Sequence, residues 1–261
     1  MQGMPNRMAA ALVVLTLTLS ACGGAAARAA VPPSPIPVNA SPNPDSTPSP
    51  SPTPPPRPTE RVLDVQLHYQ QHNLTCEAAA LTMALSYEGI TVDEMALIGY
   101  MTRDSRPAKF DAQGHLITWG DPAQGFVGNP DGNIQRYTGY GVYFGPVAAA
   151  AERAGAHVVA AGGGLYGSAI APSEVYNAVL NGHPVVAWIS NTYRNVPLSQ
   201  YTAYDGVTVS YTLTEHAVTL IGVRPDAVLI NDPWFGRHWH PKAQFEAAYA
   251  TFQQMAVVVS A

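Results

Sequence analysis

The chain is short of cysteine, of charge and of long apolar runs, and each shortage narrows what it is. It has two cysteines, Cys22 and Cys76, so few covalent cross-links are open to it. Charged residues make up 12% and the formal net charge is −5. No basic cluster interrupts that balance, which argues against a nucleic-acid partner. No apolar run reaches the ~20 residues that cross a bilayer. The glycine-rich "AGGGLYG" lacks the Lys-Ser/Thr pair of a phosphate loop. His238 and His240 in "GRHWH" share one strand face, but no third ligand stands at a sensible spacing. The expectation is therefore no cofactor and no metal.

The two ends of the chain differ in kind. Arg7 precedes an apolar run from about Met8 to Leu19, which fits the core of a secretory signal. Leu19-Ser20-Ala21-Cys22 closes it and resembles a bacterial lipobox, in which the cysteine is lipidated and becomes the new N-terminus. More than half of the 24 prolines then fall between Val31 and Pro58, among Ser, Thr and Asn. Such a composition favours extended polyproline and buries no core. The expected organisation is a signal over 1–21, a lipidated Cys22 with a Pro/Ser-rich linker over 22–59, and one folded domain over 60–261. Localisation at the outer face of a bacterial cytoplasmic membrane follows. With Cys22 lipidated, the domain keeps one thiol and no internal disulfide.

Within the domain, "RVLDVQLHY" (61–69) reads as a short strand. From Cys76 the period becomes helical through Ala80, Leu81, Ala84 and Leu85, with Thr75 or Asn73 as cap and Gly89 as stop. Thr91-Val92-Asp93-Glu94 reads as a capping box for a second helix. Residues 102–141 are rich in Gly, Asp, Asn and Pro without period, which predicts a long loop, functional or partly disordered. Further helices are expected from Pro146 to Arg153, over "APSEVYNAVLNG" and over "PKAQFEAAYA". Strands are expected in "PVVAWIS", "YTLTEHAVTLIGV", "AVLINDPW" and "QQMAVVVS". Helices early and strands late predict an α+β domain, a helical half packed on an antiparallel sheet.

Three residues carry chemistry. Cys76 opens a helix, where the dipole favours thiolate. His216 lies in a strand and Asp232 ends the next one. An imidazole can take the thiol proton and return it to a leaving amine, while a carboxylate holds the imidazole in the right tautomer. Gln70 precedes Cys76 by six residues.

Gln70, the helix on Cys76, the "HAVTLIG" strand and "NDP", in this order, resemble the papain-like cysteine peptidases, most closely cysteine peptidase family thirty-nine. The resemblance spans roughly Arg61 to the C-terminus. It implies a papain-like fold and hydrolysis of peptide or related amide bonds through a thioester. It implies Cys76 as nucleophile, His216 as general base and acid, and Asp232 as the orienting group, with Asn231 as its alternative. Gln70 would be the oxyanion donor, together with the Cys76 N–H. The partner would be a peptide or protein substrate. Two features depart from the pattern. Glu77 and Ala78 stand where the family has Gly and Pro, and a carboxylate beside a thiolate opposes its ionisation. The membrane domain and ATPase of transporter-linked members are missing from this sequence.

The same residues admit other readings. Cys76 can be a buried structural thiol, His216 a satisfied core histidine and Asp232 a turn residue before Pro233. The fold can serve as a non-catalytic surface binding module, or as a cell-wall amidase or transpeptidase. His68 and His72 are expected to be exposed. The lipobox generates a direct expectation: Cys22→Ala moves the protein from the membrane fraction to the soluble fraction, because stable anchoring needs more than one acyl chain. Unchanged partitioning into detergent overturns the lipid anchor.

Overall fold

The computed structural model describes residues 58–261. The leader, Cys22 and nearly all of the linker lie outside the described residues. Among the described residues there are five α-helices: α1 (Cys76–Tyr87), α2 (Glu94–Tyr100), α3 (Phe144–Arg153), α4 (Pro172–Asn181) and α5 (Lys242–Ala250). The main sheet has seven strands: β1 (Arg61–Val62), β2 (His157–Gly162), β3 (Val185–Ser190), β4 (Glu215–Val223), β5 (Ala227–Asp232), β6 (Gly236–Pro241) and β7 (Ala256–Ser260). Their order is β6-β5-β4-β3-β7-β2, with β1 on β4, and every pairing is antiparallel. The α+β class expected from the sequence is what forms.

The two central strands are buried along their whole length, which is why "VVAWIS" and "EHAVTLIGV" read as nearly unbroken apolar runs. Helix α1 packs on β4, and α5 packs on β3. Alanines at 78, 79, 80 and 84 let α1 approach closely, and Leu81 and Leu85 are fully buried. The Thr219 hydroxyl donates to the Ala80 carbonyl at 2.8 Å. Past Thr219 the β4–β5 ladder stops, so Glu215–Val218 pair only with β3. The N-terminal end of α1 reaches this one-sided stretch of β4.

Several local expectations change. The strand at 61–69 shrinks to Arg61–Val62, after which the chain runs irregularly to Cys76. The segment 102–141 is built rather than loose, with Trp119, Phe126, Val127 and Tyr140 in the core. Its short strands Arg103–Asp104, Phe126–Gly128 and Gly139–Gly141 form a small sheet of their own. Close approaches hide its period: a Cβ at Gly125 would lie 2.3 Å from the Thr102 carbonyl. Helix α3 begins at Phe144, two residues before Pro146.

The capping box moves as well. Asp93, not Thr91, caps α2, accepting from the Ala96 N–H at 2.8 Å. Glu94 is buried and turns back to the segment before α1 instead. It accepts from the Gln71 N–H at 2.9 Å, the Thr75 hydroxyl at 2.5 Å and His68 Nε2 at 2.7 Å. Thr75 therefore gives its hydroxyl to Glu94 and does not cap α1 with its side chain. His68 is half-buried on Glu94, and His72 is half-buried beside Asp131 at 2.9 Å, so neither is the free surface group expected. Glu94→Ala strands the Gln71 N–H and the buried Thr75 hydroxyl. It should cost about 2–4 kcal/mol, read as a lower urea midpoint at unchanged slope. A shift under about 0.5 kcal/mol would mean that the loop holds without Glu94.

Candidate active site

Cys76 is the first residue of α1 and is 6% exposed. As first-turn residue it also presents a backbone N–H with no intrahelical acceptor. His216 and Asp232 sit on neighbouring strands, where the end of the β4–β5 ladder lets their side chains meet. His216 Nε2 lies 2.9 Å from Asp232 Oδ1. A carboxylate accepts only, so Nε2 carries a proton, and Nδ1 is the ring nitrogen left free of Asp232. Asp232 Oδ1 also accepts from the N–H groups of Trp234 (2.8 Å) and Phe235 (3.1 Å), and the Tyr193 hydroxyl reaches Oδ2 at 3.3 Å. Burial pushes the Asp232 carboxyl up, but His216 and these donors outweigh it and hold it below its ordinary value. Asn231, its alternative in the sequence, faces elsewhere and donates to the Val65 carbonyl.

Cys76, His216 and Gln70 line one cavity of about 340 Å³. The 102–141 segment supplies part of its wall through Gly132, Asn133 and Tyr140. The Trp234 ring leans over His216, centroids 5.7 Å apart, and is half exposed. The Gln70 N–H donates to the Pro233 carbonyl at 3.0 Å and so ties the pre-α1 loop to the turn after Asp232. Gln70 Nε2 donates to the carbonyls of His72 (2.7 Å) and Asn73 (3.0 Å), while Oε1 is buried without a partner. In this arrangement the amide braces the loop, and donation into the cavity requires one of these bonds to open.

The electrostatics differ from the sequence expectation of a readily ionised thiol. Burial raises the Cys76 thiol well above its ordinary value, and the Glu77 and Glu215 carboxyls raise it further. The Ala217 N–H reaches the sulfur from the one-sided stretch of β4 and opposes them. The thiol donates to Glu77 Oε2 at 3.4 Å. Glu77 Oε1 accepts from the Val142 N–H at 2.6 Å. Burial outweighs these bonds and pushes Glu77 up to about 7. Glu215 is raised well above its ordinary value, by burial and then by Glu77. Sulfur and one oxygen of each carboxyl lie within 4.8 Å of one another. The sequence pattern does not single out Glu215. Its only signal there is an acidic residue inside an otherwise apolar strand, directly before His216.

The sequence pattern of the Peptidase_C39 like family matches residues 62–257. The uncharacterised protein YvpB of Bacillus subtilis (strain 168) is 28% identical over 187 residues, which cover 70% of this chain and 68% of that protein. A crystal structure of a Bacillus anthracis protein, assigned only provisionally as a C39-like peptidase, superposes with a TM-score of 0.61 at 30% identity. That match covers 77% of this chain and 98% of the other.

The carboxyl cluster fixes a pH dependence. Glu77 titrates from 4.5 unfolded to about 7 folded, so the folded state holds this proton more tightly. The resulting stabilisation is complete below about pH 4.5 and is lost as pH rises to about 7. It amounts to on the order of 3 kcal/mol. Glu77→Gln keeps an acceptor for Val142 and removes the titration. Stability curves of wild type and variant should diverge across that window, the variant gaining as pH rises, and parallel curves would refute the buried titration.

Proposed function

The chain belongs to the Peptidase_C39-like family, and from that membership we propose that it is a thiol peptidase with a papain-like site, lipid-anchored outside the cytoplasmic membrane. The observation that carries the reading is His216, held by Asp232 through Nε2 and opening with Cys76 onto one cavity. His216 Nδ1 takes the thiol proton as sulfur attacks the scissile carbonyl carbon. The Cys76 N–H, with Gln70 once its amide is freed, stabilises the oxyanion. The imidazolium then gives its proton to the leaving amine, a thioester remains, and water activated by His216 releases the acid. Asp232 holds the ring and balances its charge throughout. Because burial and two carboxyls keep the resting thiol neutral, proton transfer belongs to the attack step rather than to the empty enzyme. The anchor rests on the lipobox and the proline-rich spacer.

Digestion of a broad peptide library, read by mass spectrometry, tests the reaction. Wild type should cleave a subset of peptides and Cys76→Ala none. His216→Ala should lower kcat/KM by about 10²–10⁴, the range of general acid–base catalysis. Asp232→Asn should also lower it, since an amide can hold the wrong tautomer. Cleavage that survives Cys76→Ala, or a wild-type protein that cleaves nothing, would sink the reading.

A further inference from the structure

Glu215 is the one carboxylate that lines the cavity, and it is 7% exposed. Among the described residues its carboxyl accepts no hydrogen bond, and Oε1 is fully enclosed. The backbone and side chains around it answer every other buried acid nearby: Glu77 has the Val142 N–H, Asp232 has His216, and Glu94 has three donors. No lysine or arginine lines this cavity. An unanswered buried carboxyl is expensive unless something brings it a donor. We propose that Glu215 is the specificity residue of this site and binds a primary ammonium group carried by the substrate close to the scissile carbonyl.

The reach follows from the cluster. A Glu215 oxygen lies within 4.8 Å of Cys76 Sγ. An ammonium at about 2.8 Å from that oxygen is within a few bonds of the carbonyl that sulfur attacks. The substrate class is thus an acyl group bearing an ammonium on the carbon next to the scissile carbonyl or one carbon further. A long basic side chain in extended form reaches too far. Burial and then Glu77 push Glu215 toward its protonated form, and the groups that face it are Cys76, Glu77, Tyr140 and the adjacent His216. A bound ammonium displaces the Glu215 proton to solvent, so recognition strengthens toward alkaline pH. Glu77 cannot take the role, because its carboxyl is fully buried and anchored on Val142.

The inference rests on the cavity being the reaction site, so the test reads recognition without requiring hydrolysis. The full chain carrying Cys22→Ala has Cys76 as its one thiol. Methanethiosulfonates modify it by attack of the sulfur on the sulfenyl sulfur. The disulfide forms, methanesulfinate leaves with the bonding pair, and the thiol proton goes to buffer. The aminoethyl reagent places an ammonium two carbons beyond the new disulfide, and the methyl reagent is its neutral control. Each rate is divided by that of the same chain unfolded in urea. The ammonium-to-methyl ratio should be about tenfold or more in the mildly alkaline range, the scale of one charge-assisted hydrogen bond, and should collapse toward one in Glu215→Gln. A ratio near one in the wild type, or a high ratio untouched by Glu215→Gln, overturns the proposal. Should that variant misfold by circular dichroism, the wild type decides with a sulfonatoethyl reagent added: the order must be ammonium, methyl, sulfonate, and any other order overturns it. A protein that shows the ratio but cleaves no peptide loses the peptidase reading and keeps this one.

Discussion

Burial of the first turn of α1 is the constraint from which the rest of the site follows. A helix start normally faces water, because its leading N–H groups have no partners in the helix. Here residues 74–81 are all buried, pressed on β4 by a run of small side chains. Every polar group on that turn must then find a partner inside the protein. Thr75 finds Glu94, Glu77 finds Val142, and the Cys76 sulfur finds the Ala217 N–H. Those partners come from α2, from the chain entering α3 and from β4. The pre-α1 loop, the 102–141 segment and the sheet are thereby fixed to one point, and the cavity is the space left between them.

The same burial sets the proton inventory. In water the helix dipole would favour a thiolate at this position, but its worth is within roughly 2 kcal/mol even when partly buried. Removing a charge from water costs more, and two neighbouring carboxyls add repulsion. The thiol, Glu77 and Glu215 are accordingly all pushed toward their protonated forms. Asp232 lies on the other side of this balance, held ionised by three N–H donors. The site therefore keeps its negative charge behind His216 and its protons on the Cys76 side. A group that enters bearing positive charge, or a carbonyl developing negative charge over the Cys76 N–H, meets a complementary arrangement.

The sequence made the frame legible where short-range physics decides. Helix α1 follows from its apolar spacing and stops at Gly89 with φ +81, and α4 stops at Gly182 with φ +103. The buried strands follow from their β-branched runs. The meeting of His216 with Asp232 follows from their places on successive strands. Long-range pairing decided the rest. The Thr91–Glu94 pattern has the residues of a capping box, yet Glu94 gains more from three buried donors across the chain than from one N–H beside it. In 102–141 no period exists to read, because glycines at backbone contacts and short crossings replace regular elements. Glu215 was invisible as a site residue because strand alternation says nothing of a carboxyl that meets an unpaired edge.

The Glu77 position shows how a departure from the family pattern is absorbed. Where the sequence resemblance implies glycine and proline after the cysteine, this chain carries a full carboxyl in a buried turn. The space for it comes from Gly141, where a Cβ would sit 2.2 Å from Glu77 Oε1. The φ of +131 at Gly141 disfavours any side chain on independent grounds. The next residue, Val142, turns its N–H onto the same oxygen. Glycine and donor together make a socket that admits one carboxyl and holds it, so Glu77 cannot swing out to solvent. Its effect on the thiol is consequently a fixed property of the site, and the proposed chemistry would operate from a protonated thiol. In the proposed mechanism that places the demand on His216, which would accept the thiol proton at the moment of attack. The grip on its ring at Nε2 by Asp232, under the Trp234 indole, fits that role, since the ring is not left free to turn.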